Sequence, residues 1–321
     1  MKKVNIIGES PIDAMGSKKL LDHVESGVVY SDDSGTVFMS RSRKKNMPNI
    51  WLSSAYSERE FSPEDSFWMA EPVVVNPGDY DISFLSKFNK VFGCFEKFAK
   101  NTIIKDNFIK VAYGIESGYR DPDELIKNWI PITQRHQGVL VVASGNKYST
   151  HPSSIYNCRI ALSDFLYDNG FDVSWYGRTK IDRPYYKGFL QDDGRFDFRY
   201  KINEICKYKF HICTENTYDI IYSNNYMTEK LPHAIYGGSI PLYIGCYNIE
   251  EIVPSDVFFD LRKFISTNGK AVISKHILEV LNNVDHAQYN HAQTQCLKDK
   301  NGMFRNTDLG RVYKCMLEAL G

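Results

Sequence analysis

The stretch VLVVAS (139–144) restricts the fold more than any other part of this chain. A dense β-branched run closed by turn residues offers water no polar face, so it belongs in a sheet covered on both sides. The next segment supplies the cover. In SSIYNCRIALSDFLYDNG (153–170), Ile155, Cys158, Leu162, Phe165 and Leu166 recur near three- and four-residue spacing, and Gly170 is placed to end the helix. FDVSWYG (171–177) returns as a strand. FHICTEN (210–216), a helix beginning near Thr228 and SIPLYIG (239–245) form another β–α–β unit, and VFFDL (257–261) adds a last short strand.

The first half has a similar rhythm. VNII (4–7) opens it, a helical stretch lies near 16–26, and 27–40 reads as a hairpin around Asp-Asp-Ser-Gly. Further strands are expected at 49–52, 67–75, 90–93 and 109–113. Residues 114–137 turn polar, with Gly and Pro punctuation, and read as the interdomain region. The fold class is therefore α/β with mainly parallel sheets. An N-terminal domain spans 1–130, a linker 131–138 and a second domain 139–295. The tail 270–321 reads as two helices, the last of them (296–321) packing back on the first domain. Two such halves place a ligand cleft between them, at the carboxyl ends of the second sheet.

Composition narrows the function. The chain has 321 residues, 43% hydrophobic and 24% charged, a globular balance. Lys and Arg number 39 against 39 Asp and Glu, so no global field draws it to nucleic acid or anionic membrane. One local run, Arg41, Arg43, Lys44 and Lys45, is a candidate for acceptor or phosphate contact and also reads as a solvated turn. Seven scattered cysteines without a CxxC pair suit a reducing compartment better than a disulfide framework or a zinc site. The apolar run before Gly8 is short for a signal peptide, and no stretch approaches a membrane span, so the chain reads as soluble and cytoplasmic.

The chemistry concentrates in NNYMTEKLPHAIYGG (224–238). Thr228 reads as the N-cap, Pro232 sits in the first turn, and Gly237 and Gly238 stop the helix. Glu229 either stabilises the helix dipole or accepts hydrogen bonds from a ribose diol. Lys230 adds a cation where the dipole already disfavours one, a conflict that a bound diphosphate resolves. Arg159, early in the helix after VLVVAS, is a second cation at the same sheet edge, and the pair suits a diphosphate clamp. There is no GxGxxG, GxxxxGK[ST] or HExxH, so dinucleotide redox, NTPase and zinc-protease chemistry have no specific support.

These residues also carry a likeness. YKFHICTEN…YMTEKLPHAIYGGSIPLYIG (208–245) resembles the signature of the α1,3/4-fucosyltransferases, the family-10 glycosyltransferases. The matches are Tyr208, Lys209, Phe210, Glu215, Asn216, Tyr226, Thr228, Glu229, Lys230, Ala234, Pro241 and Gly245. Weaker similarity reaches Arg159 and Gly177, and FWMAEPVVVNP (67–77) is similar to the acidic strand-end segment, at Glu71. The resemblance implies a GT-B fold, two Rossmann-like domains facing across a cleft. It also implies a GDP-fucose-like nucleotide-sugar donor and an inverting transfer to a glycan hydroxyl, with no essential metal and no further cofactor. Carried over by motif, Arg159 and Lys230 would hold the diphosphate and Glu229 the ribose. Asn216, Tyr226 and Gly177 would shape the donor site, and Glu71 would be the general base.

Two alternatives stay open: transfer to a hydroxymethylated or glycosylated base in DNA, and a non-catalytic nucleotide-binding module. The chain departs from the family pattern in TYDIIYSNN, nine residues between Asn216 and Tyr226, which is longer than family members carry. Cys213-Thr214 also replaces the usual aromatic before Glu215-Asn216.

Overall fold

In the computed structural model, the apolar runs form two mainly parallel sheets. It describes residues 2–8, 26–40, 42–53, 61–115, 121–145, 147–190, 198–266, 272–299, 302 and 308–320, without the side chains of Ser26 and Phe198. The first sheet holds β1 (Lys2–Ile7), β2 (Ser26–Asp32), β3 (Gly35–Ser40), β4 (Asn49–Leu52), β5 (Ser66–Met69), β6 (Val91–Gly93) and β7 (Phe108–Lys110). Their order is β2-β3-β1-β4-β5-β6-β7. Only the β2–β3 hairpin is antiparallel. β4, β5 and β6 are buried along their whole length, which is why they read as unbroken apolar runs.

Two strands differ from expectation. β5 stops at Met69 instead of running to Val75, because Pro72 opens a turn. The Pro72 carbonyl accepts from the N–H groups of Val75 (2.9 Å) and Asn76 (3.0 Å). β7 ends at Lys110, short of Tyr113. The helix expected near 16–26 lies outside the described residues, apart from Ser26, which opens β2. Short helices α1 (Ile82–Leu85) and α2 (Glu96–Lys100) cover this sheet.

α3 (Pro122–Lys127) precedes the second sheet and packs on it rather than on the first domain. Leu125 is buried in the second-domain core, and Trp129 Nε1 donates to the Tyr236 carbonyl at 2.7 Å. The second sheet holds β8 (His136–Val142), β9 (Val173–Tyr176), β10 (Tyr186–Gly188), β11 (Tyr208–Thr214), β12 (Ile240–Ile244) and β13 (Phe259–Asp260). All run parallel, in the order β10-β9-β8-β11-β12-β13. β8 takes up the last residues of the expected linker. From β8 the chain builds outward to β9 and β10, then crosses back to start β11 on the other side. The order therefore reverses between β8 and β11, and open α/β sheets bind their ligands beside the carboxyl ends of the strands at such a point.

The helices of this domain are α4 (Tyr156–Asp168), α5 (Phe198–Ile205), α6 (Lys230–Tyr236), α7 (His276–Asn282) and α8 (His286–Lys298). α4 buries Ile155, Cys158, Leu162 and Leu166, as its periodicity requires, and Gly170 at φ 87° ends it. α6 begins after Glu229, not Thr228, and ends in a Schellman motif. Gly238 at φ 66° donates to Ile235 O (2.9 Å), and Ser239 to Ala234 O (3.1 Å).

The described tail holds three helices rather than two, because α7 precedes α8 and a final α9 (Leu309–Leu320). α9 buries Val312, Tyr313, Met316 and Leu317 against Val4, Ile6 and Val37 of the first sheet. The end of the chain thus closes the domain in which it began. Met316 has no solvent exposure, so Met316→Ala is expected to cost about 2–5 kcal/mol of stability, read from urea denaturation.

Candidate active site

The site starts from a carboxylate placed by the switch in strand order. Glu215 follows β11 directly and is fully buried. An ionised carboxylate is retained in such a place only when paired and hydrogen-bonded. Thr228 supplies its backbone N–H to Oε1 (2.8 Å) and its hydroxyl to Oε2 (2.6 Å). Lys230 Nζ donates to the same Oε2 at 3.0 Å and to Thr228 Oγ1 at 2.8 Å. Thr228 is therefore engaged with Glu215 and does not cap α6. A methyl at Gly245 would sit 2.1 Å from Glu215 Cγ, so only glycine leaves this carboxylate its space.

Further charges collect around that pair. Glu229 lies 3.7 Å from Lys230 and 3.8 Å from Lys201 of α5. Burial works against the Glu229 charge, yet the two lysines hold its carboxyl far below the usual range. Burial likewise works against the Lys230 ammonium, but Glu215 and Glu229 hold its pKa above the usual value. Arg159 is buried in α4, and its Nε and Nη2 donate to Thr214 Oγ1 (2.8 Å) and Thr214 O (2.7 Å). It is thus locked to the end of β11, next to Glu215. Burial lowers its pKa and Glu215 opposes that shift. Lys147, in the loop after β8, faces the same group.

The first domain contributes Glu71, two residues beyond β5. Burial pushes its carboxyl up from the ordinary 4.5. Lys147 and Lys230 pull it down, while Glu229 and Glu215 add to the rise, and all four of these charges belong to the second domain. Tyr226 seals this junction. It is 1% exposed, stacks on Phe95 at 5.5 Å and 25°, and meets Tyr113 edge-on at 5.8 Å. One cluster therefore joins a half-buried carboxylate to an opposing group of cations, an arrangement able to remove a proton beside a bound anion.

Comparison with known proteins gives the family and the fold. Residues 136–295 match the model for glycosyltransferase family 10 (fucosyltransferase), C-terminal part. The second half of the chain belongs to glycosyltransferase family 10. An alpha-(1,4)-fucosyltransferase of Arabidopsis thaliana is 35% identical over 89 residues, 28% of this chain and 20% of that protein. The chain thus matches a fifth of that relative's length. A solved alpha1,3-fucosyltransferase with GDP aligns over 99% of this chain and 90% of its own, at TM-score 0.54 and 14% identity. An alpha-glucosyltransferase in complex with UDP and a 13-mer DNA containing a HMU base aligns over 85% and 80%, at TM-score 0.53 and 11% identity. At these identities the solved structures bear on fold alone, and the fold is GT-B.

Within this family-10 domain the expected donor residues divide. Arg159, Glu229 and Lys230 converge around Glu215. Asn216 is buried beside them, its carbonyl accepting from Ile155 N–H at 3.2 Å. Gly177 lies at the end of β9, where a methyl would sit 2.1 Å from Ala143 O, so its smallness lets two strand ends meet. Tyr226 turns its ring into the aromatic core of the first domain.

The basic run is not brought to the site. Arg43 pairs with Asp65 (2.9 Å), which precedes β5 and so marks the opposite edge of the sheet from Glu71. The Lys44 backbone is tied to Asn49, Lys45 is exposed, and Arg41 lies outside the described residues. Sequence reasoning gave no role to Glu215, Lys201 or Lys147. An acid directly after an apolar strand was the available signal for Glu215, whereas only tertiary packing brings in the lysines. Among the described residues, no three His, Cys, Asp or Glu side chains converge as a metal site, the seven cysteines are unpaired, and no helix is long and apolar enough to cross a membrane.

Breaking the core of the group has a defined cost. Glu215→Gln removes the nearer of the two counter-charges of Lys230 and is expected to cost about 3 kcal/mol. Gly245→Ala overpacks the same carboxylate and is expected to cost about 1–3 kcal/mol. Denaturant titration of both variants checks these values.

Proposed function

We propose that the protein is an inverting glycosyltransferase that moves a sugar from a GDP-fucose-like nucleotide sugar to a hydroxyl of a glycan, without a metal. The observation that carries this reading is the turn after β5, which bears Glu71 and packs Val73 and Val74 on Tyr156 of the family-10 domain, where Lys230, Glu229 and Glu215 act on the Glu71 carboxyl. Inversion is a single displacement. The acceptor O–H gives its proton to the Glu71 carboxylate while its oxygen forms the bond to the anomeric carbon. The bond from that carbon to the diphosphate oxygen breaks, and the electron pair leaves with the nucleoside diphosphate. Lys230 and Arg159 supply the positive charge that stabilises the departing group, so catalysis by preorganised charge accounts for the step. Glu229, kept ionised by Lys230 and Lys201, is suited to accept hydrogen bonds from the ribose diol.

The proposed domain roles follow from this: acceptor binding by the N-terminal half and donor binding by the half that begins near β8. Of the basic run on which the DNA reading draws, Arg43 is paired with Asp65 at the far edge of the first sheet from Glu71. A thermal-shift screen across GDP, UDP, ADP and their sugars identifies the donor, because a ligand bound only by the folded state raises its melting temperature.

Lys230→Ala is expected to weaken binding of that diphosphate more than about ten-fold, corresponding to loss of one charge-assisted contact. Calorimetric titration measures it, and unchanged affinity removes Lys230 from the donor grip. Glu71→Gln is expected to keep diphosphate binding and abolish transfer. A base must be ionised to act, so transfer is lost as pH falls through the Glu71 pKa. Burial sets that acid limb above 4.5, and the pH dependence of kcat/KM reads it directly. Transfer unaffected by EDTA is the expected result for the metal-free step.

A further inference from the structure

The loop Thr217–Asn225 is the long segment that sets this chain apart in sequence, and the proposed chemistry leaves it unused. It is a built element. Asp219 Oδ1 accepts from the backbone N–H groups of Ile221 (2.7 Å) and Tyr222 (3.2 Å). The Ser223 hydroxyl donates to Asp219 O (2.7 Å) and accepts from Asp219 N–H (2.9 Å). Asn225 takes a left-handed φ of 61°, which asparagine tolerates better than most residues, and its N–H donates to Asn248 Oδ1 at 2.7 Å. These bonds shape the loop so that Ile221 and Tyr222 pack against the aromatic core of the first domain.

Tyr222 meets Tyr80 edge-on at 5.8 Å and 70°, and His151 backs it at 5.1 Å and 87°. Tyr80 reaches the turn that bears Glu71, its hydroxyl donating to the Glu71 carbonyl at 3.2 Å. Val73 and Val74, in the same turn, pack in one cluster with Tyr80, Tyr222 and Tyr156, the first residue of α4. The turn is thus held by a hydrogen bond from its own domain and by two tyrosines from the other.

We propose that Tyr222 is a positioning residue for Glu71: by bracing Tyr80 and the Val73–Val74 turn, the enlarged loop fixes that carboxylate against the family-10 domain. The inference rests on Glu71 being the general base. Around that carboxylate stand Lys147, Lys230, Glu229 and Glu215, with the phenols of Tyr80, Tyr113, Tyr156 and Tyr226 also in its field. Removing the brace leaves those charges in place and admits water to the turn.

The test compares Tyr222→Ala, Tyr222→Phe and Glu71→Gln in the full chain, using the nucleotide sugar with the largest thermal shift and its free diphosphate as binding probe. Tyr222→Ala is expected to lower kcat about ten- to a hundred-fold, the scale of a misplaced catalytic group. Diphosphate affinity stays within about two-fold, and the acid limb of the pH profile moves down toward the ordinary carboxylate value. Tyr222→Phe keeps the ring and restores both turnover and limb. Wild-type turnover and an unmoved limb in Tyr222→Ala, with Glu71→Gln inactive, overturns the inference and leaves the base assignment standing. Parallel loss of diphosphate binding in Tyr222→Ala also overturns it, since the loop would then serve the donor side. Full activity in Glu71→Gln removes the base assignment itself.

Discussion

The buried carboxylate of Glu215 is the point on which this arrangement depends. It has no exposure, so its charge is tolerable only because Thr228 and Lys230 satisfy it from one short segment. That requirement fixes where the chain must go after Tyr226. Thr228 has to present its N–H and hydroxyl to the end of β11, which sets the start of α6 one residue later. Lys230 is then the first residue of the helix, a position where a free cation is disfavoured. The dipole penalty is offset by Glu215 and Glu229. The glycine at 245 belongs to the same constraint, since the neighbouring strand end must leave room for the carboxylate.

A second dependence runs across the domains. Tyr226 precedes Thr228 by two residues and is stacked in the first domain on Phe95. The segment that grips Glu215 is therefore the same one that docks the halves together. Lys97 of α2 adds a contact from the opposite direction, its ammonium 5.5 Å from the ring of Tyr247. Buried aromatics at such a junction contribute area and preferred ring geometry together. The two sheets consequently meet through side chains next to the charged group.

Much of this was legible in the sequence, for a physical reason. Strands buried on both faces, such as NIWL and IPLYI, leave unbroken apolar runs, and α4 shows the period of a half-buried helix. The Glu229-Lys230 pair was legible as a local conflict between charge and dipole. Other features were not, because their cause lies elsewhere in the chain. The N-cap assigned to Thr228 failed because a tertiary partner, Glu215, claimed its hydroxyl. The strand through Val75 failed because Pro72 turned the chain, while Val73 and Val74 stayed apolar to pack on Tyr156. Lys201 carries no local mark of its pairing with Glu229, and the basic run gave no sign that Asp65 would neutralise Arg43.

The balance of charge in the site has a consequence for the proposed chemistry. Arg159, Lys147, Lys201 and Lys230 face Glu71, Glu215 and Glu229, so the cluster carries nearly matched charge before any ligand enters. Lys147 and Lys230 are the groups that hold the Glu71 pKa down against burial. A diphosphate seated on Lys230 engages that cation and brings its own negative charge. Both effects favour the protonated form of Glu71, and a carboxylate with a higher pKa is a stronger base. On the proposed assignment, a diphosphate on Lys230 thereby strengthens Glu71 as the base for the acceptor proton. The coupling needs no movement of the chain. It follows from a half-buried acid on one domain facing the cations of the other, to which the diphosphate contact is proposed.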